Sequence, residues 1–232
     1  MENDGDAAAI VEHRLGSARG TETAILITLG TGVGSGTILN SQLFPGGLGS
    51  VAELGHACID YDGPVCYGAC HGRGHVERYM SGTAIRDTAV DRAAANPEGD
   101  LGRAAALGEE LTAEAVIRLA RKGPGDARAL LVWTGHLLGI ALATHINFFG
   151  PEVIVVGGGV AAEGDLLLDP AKRVVAEQAQ GPGRSATRIV RAALGDEAGL
   201  VGAALAAFDV LEDSGRGGQS ARAKTTLGRA DD

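Results

Sequence analysis

The hydrophobic pattern of the chain changes period several times, and each change marks an element. Residues 4–15 carry Ala8, Val11 and Leu15 at helical spacing with Gly16 as a stop, which predicts a short amphipathic helix. The apolar run over 23–28 predicts a buried strand that enters the glycine-rich stretch 30–36, with 37–39 as the returning strand of a hairpin. Residues 44–62 read as a glycine-rich loop and 66–74 as a compact knuckle of Cys, His and Gly. A helix is predicted over 76–90, a break at Asn96-Pro97-Glu98-Gly99, and helices over 112–121 and 126–149, the last stopped by Gly150-Pro151. Strand 152–156, turn 157–159, helix 166–179, strand 188–192 and helix 197–211 complete the pattern. Strands alternating with helices predict an α/β fold. Beyond residue 212 the composition turns to Ser, Gly, Arg, Lys and Asp, too polar to bury a core, so 213–232 is expected to be a disordered tail.

Composition narrows the function classes. Lys+Arg number 20 against 29 Asp+Glu, a net charge of −9, and aromatics are 3%, so neither a polyanion-binding surface nor a base-stacking platform is expected, and nucleic acid is not an expected partner of this segment. Glycine is 37 of 232 residues, about twice the ~7% norm, so backbone turns carry recognition. The continuous apolar runs, such as 24–29 and 153–156, fall short of the ~18 residues of a membrane helix, and a soluble, cytoplasmic chain without membrane contact is expected. Three cysteines are too few for a disulfide framework.

His56, Cys66, Cys70 and His75 are four soft or borderline donors in one loop-rich segment, a set that suits tetrahedral Zn²⁺ in a closed, structural site. The alternative is a chance cluster, with His71 beside it and Cys58 an ordinary buried thiol. Glu53 and Glu77 flank this segment; carboxylates and an imidazole around one knuckle suit a polyhydroxylated ligand, while on a helix start Glu77 would merely complement the dipole. Gly30-Thr31-Gly32-Val33-Gly34-Ser35-Gly36 could cradle phosphate with backbone N–H groups or be a plain hairpin, since it lacks the Lys of a P-loop. Gly157-Gly158-Gly159 is a strand-to-helix turn that a nucleotide could approach. Asp4, after Asn3, is either a general base or a helix N-cap.

In this order the segments resemble the ROK (repressor, open reading frame, kinase) family, from Glu2 to about Leu211. Asn3-Asp4 resembles the family's segment bearing the catalytic Asp, and Leu29-Gly30-Thr31-Gly32-Val33-Gly34 its second phosphate motif. Gly46-Gly47-Leu48-Gly49 followed by Glu53-Leu54-Gly55-His56 resembles its signature. Residues 66–77 resemble its zinc knuckle, with His75 where a last Cys is usual. The resemblance implies an actin-like ATPase (ribonuclease H-like) fold, mainly the C-terminal lobe with a zinc knuckle. It implies a hexose kinase of the glucokinase type that uses Mg-ATP, with structural zinc on His56, Cys66, Cys70 and His75. Asp4 is then the base that takes the proton of the sugar O6, and Asn3, Glu53, His56 and Glu77 contact the hexose, His56 using one ring nitrogen for zinc and the other for sugar. Gly30, Thr31, Gly32, Gly34, Gly157 and Gly158 contact the nucleotide, and a homodimer is expected. No Asp-x-Gly-Gly-Thr motif occurs, so residues 1–22 are expected to be the remnant of an N-terminal lobe ahead of a C-terminal lobe over 23–212, which leaves the activity of this chain by itself open. The alternatives are a sugar-responsive repressor fragment of the same family and an inactive zinc-stabilised sugar-binding fragment. Which hexose is bound, and whether ATP or polyphosphate is the donor, stays open.

Overall fold

The computed structural model describes residues 4–47, 53–195 and 201–202. Asn3, Leu48 and Gly49 lie outside them, as do the expected tail and all but two residues of the expected closing helix. The chain opens with α1 (Asp4–Arg14), followed by β1 (Ala24–Leu29), β2 (Val33–Leu39) and β3 (Gln42–Leu43). After the knuckle come α2 (Glu77–Met80), α3 (Gly82–Ala95), α4 (Asp100–Ala106), α5 (Ala113–Arg121) and α6 (Asp126–Phe149). Strand β4 (Val153–Gly157), α7 (Asp165–Gln178), α8 (Gly183–Ala186) and β5 (Arg188–Arg191) follow.

The five strands form one sheet in the order β3-β2-β1-β4-β5. The β1–β2 and β2–β3 pairs are antiparallel, and β1–β4 and β4–β5 are parallel. Alternation along the strands supplies two cores. Ile25, Ile27 and Leu29 of β1, with Ile154 and Val156 of β4, join the side chains of α3, α5, α6 and α7. Ala24 and Leu26, with Val153 and Val155, face the other way toward Ala8, Ala9 and Val11 of α1. Because β1 and β4 run parallel, their carboxyl ends, Leu29 and Gly157, open at the same edge, where ligands bind in open α/β sheets.

Three expectations change. Residues 33–36, expected as part of a turn, are strand, and only 30–32 separate β1 from β2. Val33, Ser35 and Thr37 are buried in β2, while Gly34 and Gly36 present bare backbone to α1: a Cβ at Gly36 would lie 2.6 Å from the Ala9 Cβ and 2.6 Å from the Gly5 carbonyl oxygen. The helix expected over 76–90 is two, because Ser81 leaves helical geometry (ψ 158°) and its side chain accepts from the Ala84 N–H to cap α3. Helix α4 was not foreseen, since its Gly102 weakens the helical signal; a Cβ there would meet the Asn96 and Pro97 carbonyl oxygens at 2.4 Å.

Helix α6, whose apolar residues are interrupted by polar ones, is by length and composition long and apolar enough to cross a membrane, with a mean hydropathy of 1.6 over an 18-residue window, of which 61% is buried inside the protein. Its small residues explain the packing: Cβ atoms at Gly135 and Gly139 would strike the carbonyl oxygens of Leu167 and Ala171 at 2.4 and 2.6 Å, so α6 and α7 touch along bare backbone.

His145 of α6 is 3% exposed, and its Nδ1 has no hydrogen-bond partner among the described residues. Desolvation pushes its pKa from the ordinary 6.5 down to about 4. The unfolded chain therefore takes up a proton as the pH falls through 6.5, whereas the folded chain refuses it until about pH 4, so stability is lost across that window. Denaturant titrations at pH 7 and pH 4 are expected to show wild type losing about 3 kcal/mol more than His145→Leu. Equal losses would contradict the assignment.

Candidate active site and metal centre

Strand β2 and its turn gather the site. Gly5 at the start of α1 sits against the backbone of Ser35, where a Cβ would fall 2.4 Å from the Ser35 carbonyl oxygen. That approach places the exposed Asp4 beside the turn. Gly55 rests on Val33 in the same manner, and the Leu54 N–H donates to Ser35 Oγ (3.0 Å), which fixes the short 3-10 turn Leu54–His56 and with it Glu53 and His56. Glu77, the first residue of α2, accepts from the Val33 N–H through Oε2 (3.0 Å), and that oxygen would lie only 2.7 Å from a Cβ at Gly32. Glycine at 32 is what lets the carboxylate seat on the turn.

Asp4, Glu53 and Glu77 thereby surround one cavity of about 480 Å³, lined also by Thr28, Gly30, Thr31, Gly32, Gly34 and Gly158. Three carboxylates and two threonine hydroxyls, with no basic side chain among the described residues, make it a site for hydroxyl donors or a cation. His56 and Gly157 are not among its walls. Gly158 is held by geometry as well: its φ is +87°, and a Cβ would lie 2.5 Å from the Leu29 carbonyl oxygen.

A second cavity, of about 380 Å³, shares Gly30 and Thr31 with the first and continues past Gly82, Thr83, Arg86, Glu110, Thr112, Glu114 and Gly159. The turn between them is braced from behind. The Gly82 N–H donates to the Gly30 carbonyl (2.7 Å), and Thr83 Oγ1 donates to the Thr31 carbonyl (2.9 Å). The N–H groups of Thr31 and Gly32 have no partner among the described residues, so the turn offers donors where the two cavities meet. Gly157 lines a third, smaller cavity with Arg191.

The knuckle is a small ladder. Bridges pair Cys58 with His75 and Val65 with Arg73, and the Cys66 N–H donates to the Gly72 carbonyl (2.8 Å). Tyr79 OH donates to Asp60 (2.8 Å), and burial, then that hydrogen bond, push its pKa up to about 12. The ladder brings His56, Cys66, Cys70 and His75 together, with one donor atom of each within 4.8 Å of the others. Two nitrogens at ~2.05 Å and two sulfurs at ~2.3 Å from a tetrahedral centre stand ~3.3 Å (N to N) and ~3.6 Å (N to S) apart. Here Nδ1 of His56 and Nδ1 of His75 are 3.3 Å apart, Cys66 Sγ is 3.7 Å from His56 Nδ1, and Cys70 Sγ is 3.5 Å from His75 Nδ1. The donor set and spacing fit a tetrahedral metal ion, which would take the Nδ1 face of His56 and leave Nε2 for another partner. Burial first, and then the neighbouring Cys70, push the Cys66 thiol up, a pair of sulfurs that a cation would relieve. Cys58 is exposed, not the buried thiol considered above, and His71, also exposed, is outside the cluster.

The mixed α/β architecture is that of the actin-like ATPase fold. The chain belongs to the ROK family, which it matches over residues 1–209. It is 37% identical over 212 residues to the glucokinase of Streptomyces coelicolor, covering 88% of this chain and 65% of that one. The crystal structure of a ROK family glucokinase from Streptomyces griseus in complex with glucose and AMPPNP superposes with a TM-score of 0.77 at 36% identity, covering 88% of this chain and 66% of that chain. A ROK family transcriptional regulator, a homologue of the E. coli MLC protein, superposes with a TM-score of 0.78 at 30% identity, over 88% of this chain and 50% of that one. The chain thus spans about two thirds of the length of the glucokinases it matches.

Sequence reasoning missed Thr28, Thr31's backbone role beside Gly82 and Thr83, and the whole far wall of the second cavity. Ser81 as a cap ahead of Gly82-Thr83 was the available signal. Titration of the metal-free protein with Co²⁺ is expected to give one tetrahedral site per chain, with Cys70→Ser losing it and His71→Ala leaving it intact. A Co²⁺ spectrum indifferent to Cys70→Ser would contradict the assignment.

Proposed function

We propose that this chain carries the sugar-binding and phosphoryl-transfer residues of an ATP-dependent hexose kinase that converts glucose to glucose 6-phosphate. The observation that carries the proposal is the meeting of an acidic, hydroxyl-binding cavity and a second cavity at one turn with free backbone donors. Glucose, in the first, would have its hydroxyls held by Glu53, Glu77, Nε2 of His56 and Asn3, which lies outside the described residues. ATP, in the second, would bring its γ-phosphate to Thr31 and Gly32; of the turn 157–159 it is Gly159 that lines this cavity, while Gly157 lines the third and Gly158 the first and third.

Asp4 is the base. As the O6 oxygen of the sugar bonds to the γ-phosphorus, the bond from phosphorus to the ADP oxygen breaks and the O6 proton passes to the Asp4 carboxylate. Among the described residues neither the turn nor the acidic cavity has a Lys or Arg, so the N–H groups would share the phosphate charge with a cation. Magnesium bound with the nucleotide supplies that charge, and the carboxylate oxygens of the cavity suit it. Zinc is the metal proposed for the knuckle; by fixing His56 through Nδ1 it would set the tautomer and the aim of Nε2. Glu77 then has two tasks, one oxygen on the turn and the other toward the sugar, so both cavities depend on where α2 begins.

A second reading is favoured by the regulator that shares this fold. A sugar-sensing member would keep the acidic cavity and the knuckle without needing a base at position 4. Glucose 6-phosphate formation from glucose and Mg-ATP, followed on the purified protein, separates the two. Asp4→Asn is expected to lower kcat by about 100- to 10,000-fold with little change in KM. An Asp4→Asn protein with wild-type turnover would remove Asp4 from the mechanism, and a wild-type protein that binds glucose without phosphorylating it would establish the sensor.

A further inference from the structure

Among the described residues the second cavity is lined by one cation, Arg86, placed one helical turn, ~5.4 Å, along α3 from Gly82. Its side chain is about half exposed, and what sets it apart is how the guanidinium is held. Nε and Nη2 both donate to Oδ1 of Asp87, at 3.1 and 2.8 Å. Neighbours in sequence on a helix do not ordinarily face each other, and Asp87 reaches back because its other oxygen is taken: Tyr67 OH donates to Oδ2 at 2.8 Å. Burial alone would raise the Asp87 pKa, but the hydrogen bonds from Arg86 and Tyr67 outweigh it and keep the carboxylate ionised. Tyr67 belongs to the knuckle, next to Cys66. It is clamped there by Arg78, whose guanidinium lies 4.6 Å from the ring centre and donates to the phenol oxygen at 2.6 Å.

A line of contacts therefore runs from the metal-binding knuckle through Tyr67 and Asp87 to a guanidinium at the wall of the second cavity. The turn and the start of α3 form the part of that cavity suited to phosphate, and Arg86 lines the same cavity with Glu110 and Glu114, a planar cation beside two acceptors. A guanidinium plane held by two hydrogen bonds to one oxygen is preorganised to stack on an aromatic ring, which among the parts of a nucleotide only the base provides.

We propose that Arg86 is a nucleotide-contacting residue that stacks on the base, and that Asp87 and Tyr67 are positioning residues through which the knuckle holds it in place. The inference rests on the nucleotide site proposed above and adds to it a residue and a physical link to the metal centre. Calorimetric titration of the zinc-loaded chain with Mg-ADP tests it, with Mg-pyrophosphate as the probe that lacks a base. Arg86→Ala is expected to weaken Mg-ADP binding about tenfold and to leave pyrophosphate binding unchanged, and Arg86→Lys, which keeps the charge and loses the plane, is expected to recover only part of it. Asp87→Asn and Tyr67→Phe are each expected to weaken Mg-ADP about threefold in the wild-type background and not at all in the Arg86→Ala background. Wild-type affinity in Arg86→Ala, equal losses for ADP and pyrophosphate, or additive losses for Asp87→Asn and Arg86→Ala would each overturn the proposal while leaving the nucleotide site standing. A wild-type chain that binds no Mg-ADP would overturn that site, and this inference with it.

Discussion

A side chain on Gly36 would drive its Cβ to 2.6 Å from both the Ala9 Cβ and the Gly5 carbonyl oxygen, so α1 can rest on the sheet only where β2 is bare. Gly34, Gly36 and Gly5 together remove the layer of side chains that normally separates a helix from a strand. The result is a helix N-terminus brought down to the level of the Gly30–Gly32 turn, and that is what puts Asp4 across the cavity from Glu77. The remaining face of β2 receives the Leu54–His56 turn through Gly55 and the Ser35 hydroxyl. Sugar-side carboxylates from three separated stretches of sequence converge because one strand has room for all of them.

The second dependency is on the Glu77 carboxylate. It follows the knuckle by two residues and begins α2, so the order of residues 56–75 decides where it stands. Few of these residues contribute to the main core, where only Ala57 and Ile59 pack against the edge. A metal at the four donors would supply the cross-links that apolar burial does not. The same loop reaches the other cavity by way of Tyr67, Asp87 and Arg86, which gives the knuckle a hand in both halves of the cleft without touching either ligand.

Much of this was legible in the chain because its signals are local. The four donors within 56–75 announced a cluster that could hold a metal, and the alternation of strand and helix announced the α/β class. The sharp stop at Gly150, in left-handed conformation with φ 54°, set the end of α6. What misled was the run 30–36, whose glycines look alike in sequence and divide by function in space: Gly32 admits a carboxylate, while Gly34 and Gly36 admit a helix. Nothing local revealed that Arg86 would face a cavity, since Asp87, which holds it, is itself held by Tyr67, 20 positions away on a loop whose course depends on its own ladder.

If two ligands meet at the Gly30–Gly32 turn, both must perturb its amides, which the chemical shifts of the ¹⁵N-labelled protein report residue by residue. Glucose is predicted to shift the amides of Gly5, Glu53 and Glu77, Mg-ADP those of Gly82, Thr83 and Gly159, and each ligand separately those of Thr31 and Gly32. Glucose and Mg-ADP perturbing the same single set of residues, or both leaving Thr31 and Gly32 unmoved, would contradict the account.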